Sequence, residues 1–286
     1  MITSYSEVPL TSFANLPDMS SFPPYREVCR LAAEDPAMFA QFREIPTYRW
    51  VVSSMLNGEG RDHHEVLQAR GFDFSFFERI RDLDRIGAPT LATYPIAGAV
   101  APQTMRYVKV MSDVERLFGS LDGKSVIEIG VGFGGQCAVL SRAFAIARYT
   151  LVDLPEPLML ARRYLETLGV ANVSYATLDE LAPTNRYDLA ISNFALSEIA
   201  RRYQIEYAQR VLQRAEAGYL LWNSKQMREM RAWHVRLYGC DQIYAEEMCG
   251  LVPGAHILEP AWLAPSDREF EIDLMAWGTR PNPDGP

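Results

Sequence analysis

The feature that most constrains this chain is a run of glycines between an apolar stretch and a helical one: Val126-Ile127-Glu128-Ile129, then Gly130-Val131-Gly132-Phe133-Gly134-Gly135, then Gln136 to Ala145. Strand, glycine loop and helix in that order form the unit on which a nucleotide rests, because glycine turns tightly and lets a ligand lie against bare backbone. Tyr149 to Val152, Val173 to Tyr175, Tyr187 to Ser192 and Tyr219 to Trp222 read as further strands, with helices at Glu156 to Leu168 and Arg201 to Ala215 among them. Apolar strands alternating with helices imply a parallel sheet covered on both faces. Near the end, His256 to Leu258 and Glu271 to Trp277 follow one another with only Pro260 to Arg268 between, which predicts a hairpin and hence an antiparallel strand. The expected fold class is therefore α/β: a Rossmann-like sheet, mostly parallel with one antiparallel strand, preceded by an N-terminal helical region.

Residues 1 to about 23 lack a periodic apolar face and read as an extended arm. Tyr25 to Glu34, Pro36 to Glu44, Tyr48 to Leu56 and His63 to Arg70 carry apolar residues at helical spacing, split by Asp-Pro, Ile-Pro and Gly-rich breaks. Ser75-Phe76-Phe77-Glu78 has the form of a capping box opening a helix that Gly87 ends. Gly87 to Pro102 reads as a long loop and Thr104 to Phe118 as one more helix. The change from helices alone to alternation places a boundary near residue 120. It separates an arm and helical cap at 1–119 from a core at 120–280, with a disordered proline-rich tail at 281–286.

Composition narrows the function classes. With 48% hydrophobic and 22% charged residues the chain has the balance of a soluble globular enzyme, and no apolar run approaches the ~20 residues of a membrane span. No basic leader with an apolar core opens the sequence, so the expected location is cytoplasmic. Four cysteines without C-x-x-C spacing argue against a zinc site and against disulfides. A net charge of -8 with no Lys/Arg stripe disfavours a nucleic-acid partner.

The glycine loop fits two templates. Gly130, Gly132 and Gly135 match the dinucleotide pattern G-x-G-x-x-G, whereas Glu128, Gly130, Gly132 and Gly134 match the methyltransferase pattern E/D-x-G-x-G-x-G. A carboxylate beside a pyrophosphate is unfavourable, but one beside a methionine ammonium or a sulfonium is not, so Glu128 favours S-adenosylmethionine. Asp153, with Leu154 after it, ends the second strand about 20 residues past Gly130, the spacing at which a carboxylate meets ribose hydroxyls for either cofactor. Leu178, after the third strand, is placed to flank an adenine. The alternative of a nicotinamide-dependent oxidoreductase stays open, although the core has no Tyr-x-x-x-Lys dyad. So does a non-catalytic cofactor-binding scaffold.

Three stretches resemble a sugar O-methyltransferase family, one of the class I S-adenosylmethionine-dependent methyltransferases of bacterial natural-product pathways: Gly98 to Asp113, Ile127 to Cys137 and Ile191 to Glu198. The family pattern Ser-Pro-Thr-Thr is here Ala101-Pro102-Gln103-Thr104. The resemblance implies methyl transfer to a hydroxyl of a sugar or another hydroxylated natural product. Asn193 and Glu198 follow the fourth strand and Asn223 the fifth, all at the carboxyl edge where ligands of open α/β sheets bind. Asn193 and Arg106 are expected at the cofactor, and Asn223, Trp233 and Tyr238 at the acceptor. His234 is the preferred general base, since imidazole titrates near neutrality, with Glu198 as the substitute. No paired ligand spacing announces a metal, and a metal-independent reaction is expected. The expected partner is a small-molecule acceptor, without nucleic acid or membrane, and a homodimer is kept open.

Overall fold

The computed structural model describes residues 23–52, 57–238 and 241–281; the arm before residue 23, part of the third expected helix and the tail after 281 lie outside these. Among the described residues four helices come first: α1 (Pro23–Glu34), α2 (Pro36–Phe39), α3 (Pro46–Val52) and α4 (Asn57–Ala69). Asp35 starts α2 by accepting from Ala37 N at 2.7 Å, with Pro36 at a position where no amide is needed.

The stretch expected as a capping-box helix is instead two 3₁₀ turns, Phe74–Ile80 and Leu83–Arg85. Ser75 gives its hydroxyl proton to Asp73 and Glu78 pairs with Arg81, so neither member of the box reaches an orphan amide. Within the expected loop from Gly87 to Pro102 lies a small hairpin of β1 (Ala92–Tyr94) and β2 (Gly98–Val100). It leads into α5 (Pro102–Phe118), which is buried along most of its length. A buried charge network ties α5 to its surroundings. Asp113 accepts from Arg70 at 2.6 Å, from Lys109 at 2.7 Å and from Tyr219 Oη at 2.6 Å, so the buried carboxylate is paired and hydrogen-bonded.

From β3 (Ser125–Ile129) the chain alternates through α6 (Gly135–Ala143), β4 (Arg148–Val152), α7 (Pro155–Thr167), β5 (Val173–Ala176) and β6 (Tyr187–Asn193). It continues with α8 (Ala195–Glu198), α9 (Arg201–Arg210), β7 (Ala215–Asn223), α10 (Ser224–Tyr238), α11 (Ala245–Leu251), β8 (His256–Ile257), α12 (Pro265–Glu269) and β9 (Ile272–Trp277). The seven strands β3 to β9 form one sheet in the order β5-β4-β3-β6-β7-β9-β8. All its pairs are parallel except those of β9, which runs antiparallel to both neighbours. The fold class read from the sequence is the one observed.

Side chains alternate across the sheet with period two. Val126, Tyr219 and Leu221 join the apolar cluster of α5, α6 and α7, while Ile127, Leu220 and Trp222 join that of α9 and α11. Tyr25, Phe42 and Tyr48 of the leading region belong to the first cluster, together with Phe133 and Tyr164, so that region covers one face of the sheet. Gly218 admits the last strand closely: a Cβ there would lie 2.0 Å from the Trp277 ring, whose Nε1 donates to Ala215 O at 3.1 Å. Strand order reverses between β3 and β6, and the carboxyl ends there form the crevice where open α/β sheets bind ligands. Among the described residues no helix is long and apolar enough to cross a membrane.

Candidate active site

The glycine loop leaves the carboxyl end of β3 with Gly130, Gly132 and Gly134 at φ +74°, +54° and +85°, a region that L side chains avoid. Two of these glycines also permit close packing within the protein. A Cβ at Gly130 would lie 1.9 Å from that of Ala195 in α8, and one at Gly132 would lie 2.9 Å from Val52 Cγ1 in α3. Helix α3 therefore lies against the loop. Asp153, just past β4, holds the loop from the other side: one carboxylate oxygen accepts from Val131 N at 2.8 Å and the other from Leu154 N at 2.7 Å. Leu154 caps α7 and Leu178 follows β5, both partly buried.

Glu128 sits differently from what its charge suggested in the sequence. Its carboxyl is buried within the sheet and accepts from Tyr149 Oη at 2.7 Å. Burial pushes its pKa up to about 8, against the opposing pull of that hydrogen bond. It is therefore mostly neutral at pH 7, and it underpins the loop as a buried polar group.

The second half of the crevice is built on β6 and β7. Phe194 follows β6 at φ +72°, strained for a residue with a Cβ, and the Arg106 guanidinium stacks over its ring at 4.8 Å. Ser197 Oγ accepts from Asn223 N at 3.2 Å, which fixes α8 against the end of β7. Asn223 Nδ2 donates to Glu198. Glu198 keeps some solvent-accessible surface, yet protein atoms crowd its carboxyl, and that burial raises its pKa to about 7 despite the Asn223 hydrogen bond and the nearby Arg106 charge. The crevice thus brings together Asp153, Asn193, Arg106, Glu198 and Asn223. Trp233, His234 and Tyr238 lie on α10, and their side chains are outside the described set. The α10 backbone carries residue 234 about 15 Å beyond Ser224 at the helical rise per residue.

Two polar atoms beside the loop are buried without a partner among the described residues: Tyr48 Oη and Asn193 Oδ1. Groups of this kind suit a polar ligand, because an unmet buried hydrogen bond is costly. Sequence reasoning missed Tyr48, which nothing in the local pattern marks. It also passed over Gln136, which directly follows the glycines, and Gln103, whose Nε2 donates to Val52 O at 2.8 Å and to Tyr107 Oη at 2.7 Å. Gln103 stands at the departure from the family pattern, and it ties α5 to α3 over the loop.

No family model matches the chain, and no curated protein does. Solved structures similar to it include the mitomycin 7-O-methyltransferase MmcR, at 15% identity over 82% of this chain and 69% of that one, with a TM-score of 0.45. The pyocyanin biosynthetic protein PhzM aligns at 17% identity over 87% and 69%, with a TM-score of 0.43. LaPhzM aligns at 18% identity over 63% of this chain with a TM-score of 0.44, and the match spans only 56% of its length. Likeness at these identities reaches no further than the fold.

Proposed function

We propose that the chain is an S-adenosylmethionine-dependent O-methyltransferase acting on a hydroxyl of a sugar or another hydroxylated small-molecule natural product. The observation that carries this reading is the placement of Glu198: a carboxyl held by Asn223 Nδ2 at the carboxyl edge of the sheet, across the switch point from Asp153 and the glycine loop, where burial pushes its pKa up to about 7. An acid tuned to neutrality serves to take a proton from a poor nucleophile such as an alcohol.

Bound in the crevice, S-adenosylmethionine supplies a methyl carbon on a sulfonium, open to in-line displacement by an oxygen. Asp153 accepts ribose hydroxyls, with Leu154 and Leu178 as apolar flanks. Arg106, on the β6 side, faces the cofactor carboxylate. Glu198 accepts the acceptor proton, and Asn223 holds its carboxyl in place through the Nδ2 hydrogen bond. Asn223 borders the acceptor. The chain's main contribution is alignment, since a displacement of this kind is governed by how well its atoms are held in line. The choice of a sugar rests on the family resemblance of the three stretches, and His234 stands as the second base. Calorimetry with S-adenosylhomocysteine and NADH tests the reading: tight binding of the first is expected, and binding of NADH alone would sink it. Mass spectrometry of a candidate acceptor then reads the methyl gain.

A further inference from the structure

Asn193 and Gln136 form a hydrogen-bonded pair whose polarity is fixed from one end. Gln136, fully buried at the start of α6, donates Nε2 to the Tyr107 carbonyl oxygen at 3.2 Å. A carbonyl only accepts, so the Gln136 nitrogen faces it and Oε1 turns towards Asn193. Asn193 Nδ2 donates to that Oε1 at 3.2 Å. Turning either amide over would set oxygen against oxygen. The Asn193 carbonyl oxygen is therefore committed to point away from the pair, where it is buried and meets no donor among the described residues.

We propose that Asn193 Oδ1 receives the α-ammonium of S-adenosylmethionine, and that Gln136 is a positioning residue that holds the Asn193 amide in the accepting orientation. This assignment rests on the methyltransferase reading above. Sheet order supports the choice of donor. Asp153 follows β4 and suits ribose hydroxyls, Glu198 and Asn223 lie on the β7 side with the acceptor, and Asn193 ends β6 between them. On this cofactor the sulfonium carries three branches, the ribose, the transferable methyl and the amino-acid arm, so with the ribose at the end of β4 and the methyl turned to the β7 side, the arm is left to run along the end of β6. An ammonium has donors only, which matches an oxygen that can only accept, and Arg106, stacked on neighbouring Phe194, is the counterpart for the carboxylate on the same carbon.

Calorimetry with S-adenosylhomocysteine and with its deamino analogue, in which a methylene replaces the ammonium-bearing carbon, reads the assignment. The wild type is expected to prefer the amino compound by about 10- to 100-fold, the range of a hydrogen bond with a charged partner. Asn193→Ala removes that preference by weakening S-adenosylhomocysteine alone. Gln136→Leu, which frees the Asn193 amide to turn over, narrows the preference and leaves the analogue's affinity unchanged. Equal loss of both ligands, or an undiminished preference, overturns the assignment and leaves the cofactor reading intact. Failure of the wild type to bind either compound overturns the cofactor reading itself. Should Asn193→Ala fail to fold, a pH titration of the wild type replaces it: the preference falls as the ligand ammonium deprotonates to an amine, a weaker donor, and a preference that does not change with deprotonation refutes the assignment.

Discussion

Replacing Glu128 by glutamine is expected to stabilise the protein relative to wild type by an amount that grows with pH. Glu128 is only 2% exposed, and burial lifts its pKa from 4.5 to about 8. Between those two values the unfolded chain has released the carboxyl proton while the folded chain still holds it. The folded state then binds more protons, so this group's contribution to stability is complete below the unfolded pKa and is lost as pH rises to the folded one. Each pH unit is worth about 1.4 kcal/mol, which amounts to roughly 3 kcal/mol by neutrality. Glutamine keeps an acceptor for Tyr149 Oη, which now donates at 2.7 Å, and has no proton to release. Its extra N–H group adds a cost of about 1–3 kcal/mol if it stays unmet, but that cost does not vary with pH. The slope of the difference against pH is therefore diagnostic and its intercept is not. Denaturant unfolding of both proteins from about pH 5 to about pH 8 should show the variant gaining about 1 kcal/mol per unit. A difference that does not change with pH would refute the account of Glu128 as a buried neutral acid.

Asp153→Ala should weaken S-adenosylhomocysteine by about 1.5–3 kcal/mol in calorimetry and also lower the melting temperature, because the same carboxylate ties Val131 to Leu154; unchanged affinity would move the ribose contact elsewhere. Glu198→Gln should lower kcat by about 10²–10⁴-fold. In the wild type, turnover should rise with pH through about 7 as Glu198 loses its proton, and this limb should vanish in the variant; a profile shared by both proteins excludes Glu198 as the base. His234→Ala should retain activity within a few-fold, and a loss comparable to that of Glu198→Gln would return the role to the histidine.

The sheet was legible because its signals are local. Each apolar run of β3, β4, β6 and β7 needs burial on both faces, and the glycines of 130–135 leave few other solutions at the head of a helix. The consecutive pair β8 and β9 was legible for the same reason, as no crossover helix of ordinary length fits between them. The 3₁₀ turns at Phe74–Ile80 were not, since the capping box was undone by a competing acceptor, Asp73, just before Ser75 in the chain. In the crevice, Asp153, Asn193, Glu198 and Asn223 could be placed from strand ends alone. The state of Glu128 could not, because whether a carboxyl is charged depends on what surrounds it. Nor could Tyr48 and Gln103, whose partners across the loop are fixed by how the leading helices pack on the sheet.

The position of β9 bears on how the chain is made. It is the last strand in chain order among the described residues, yet it lies inside the sheet between β7 and β8, so residues 272–277 must leave the ribosome before either neighbour has its full set of hydrogen bonds. Until then β7, with its nine-residue backbone and a buried face, presents an open edge of the kind that recruits other chains. The groove that Gly218 leaves for Trp277 is also empty during that interval. Folding of the second half of the sheet is thus tied to completion of β9, and premature termination before residue 272 would give a product exposed to aggregation even though every crevice residue had been translated.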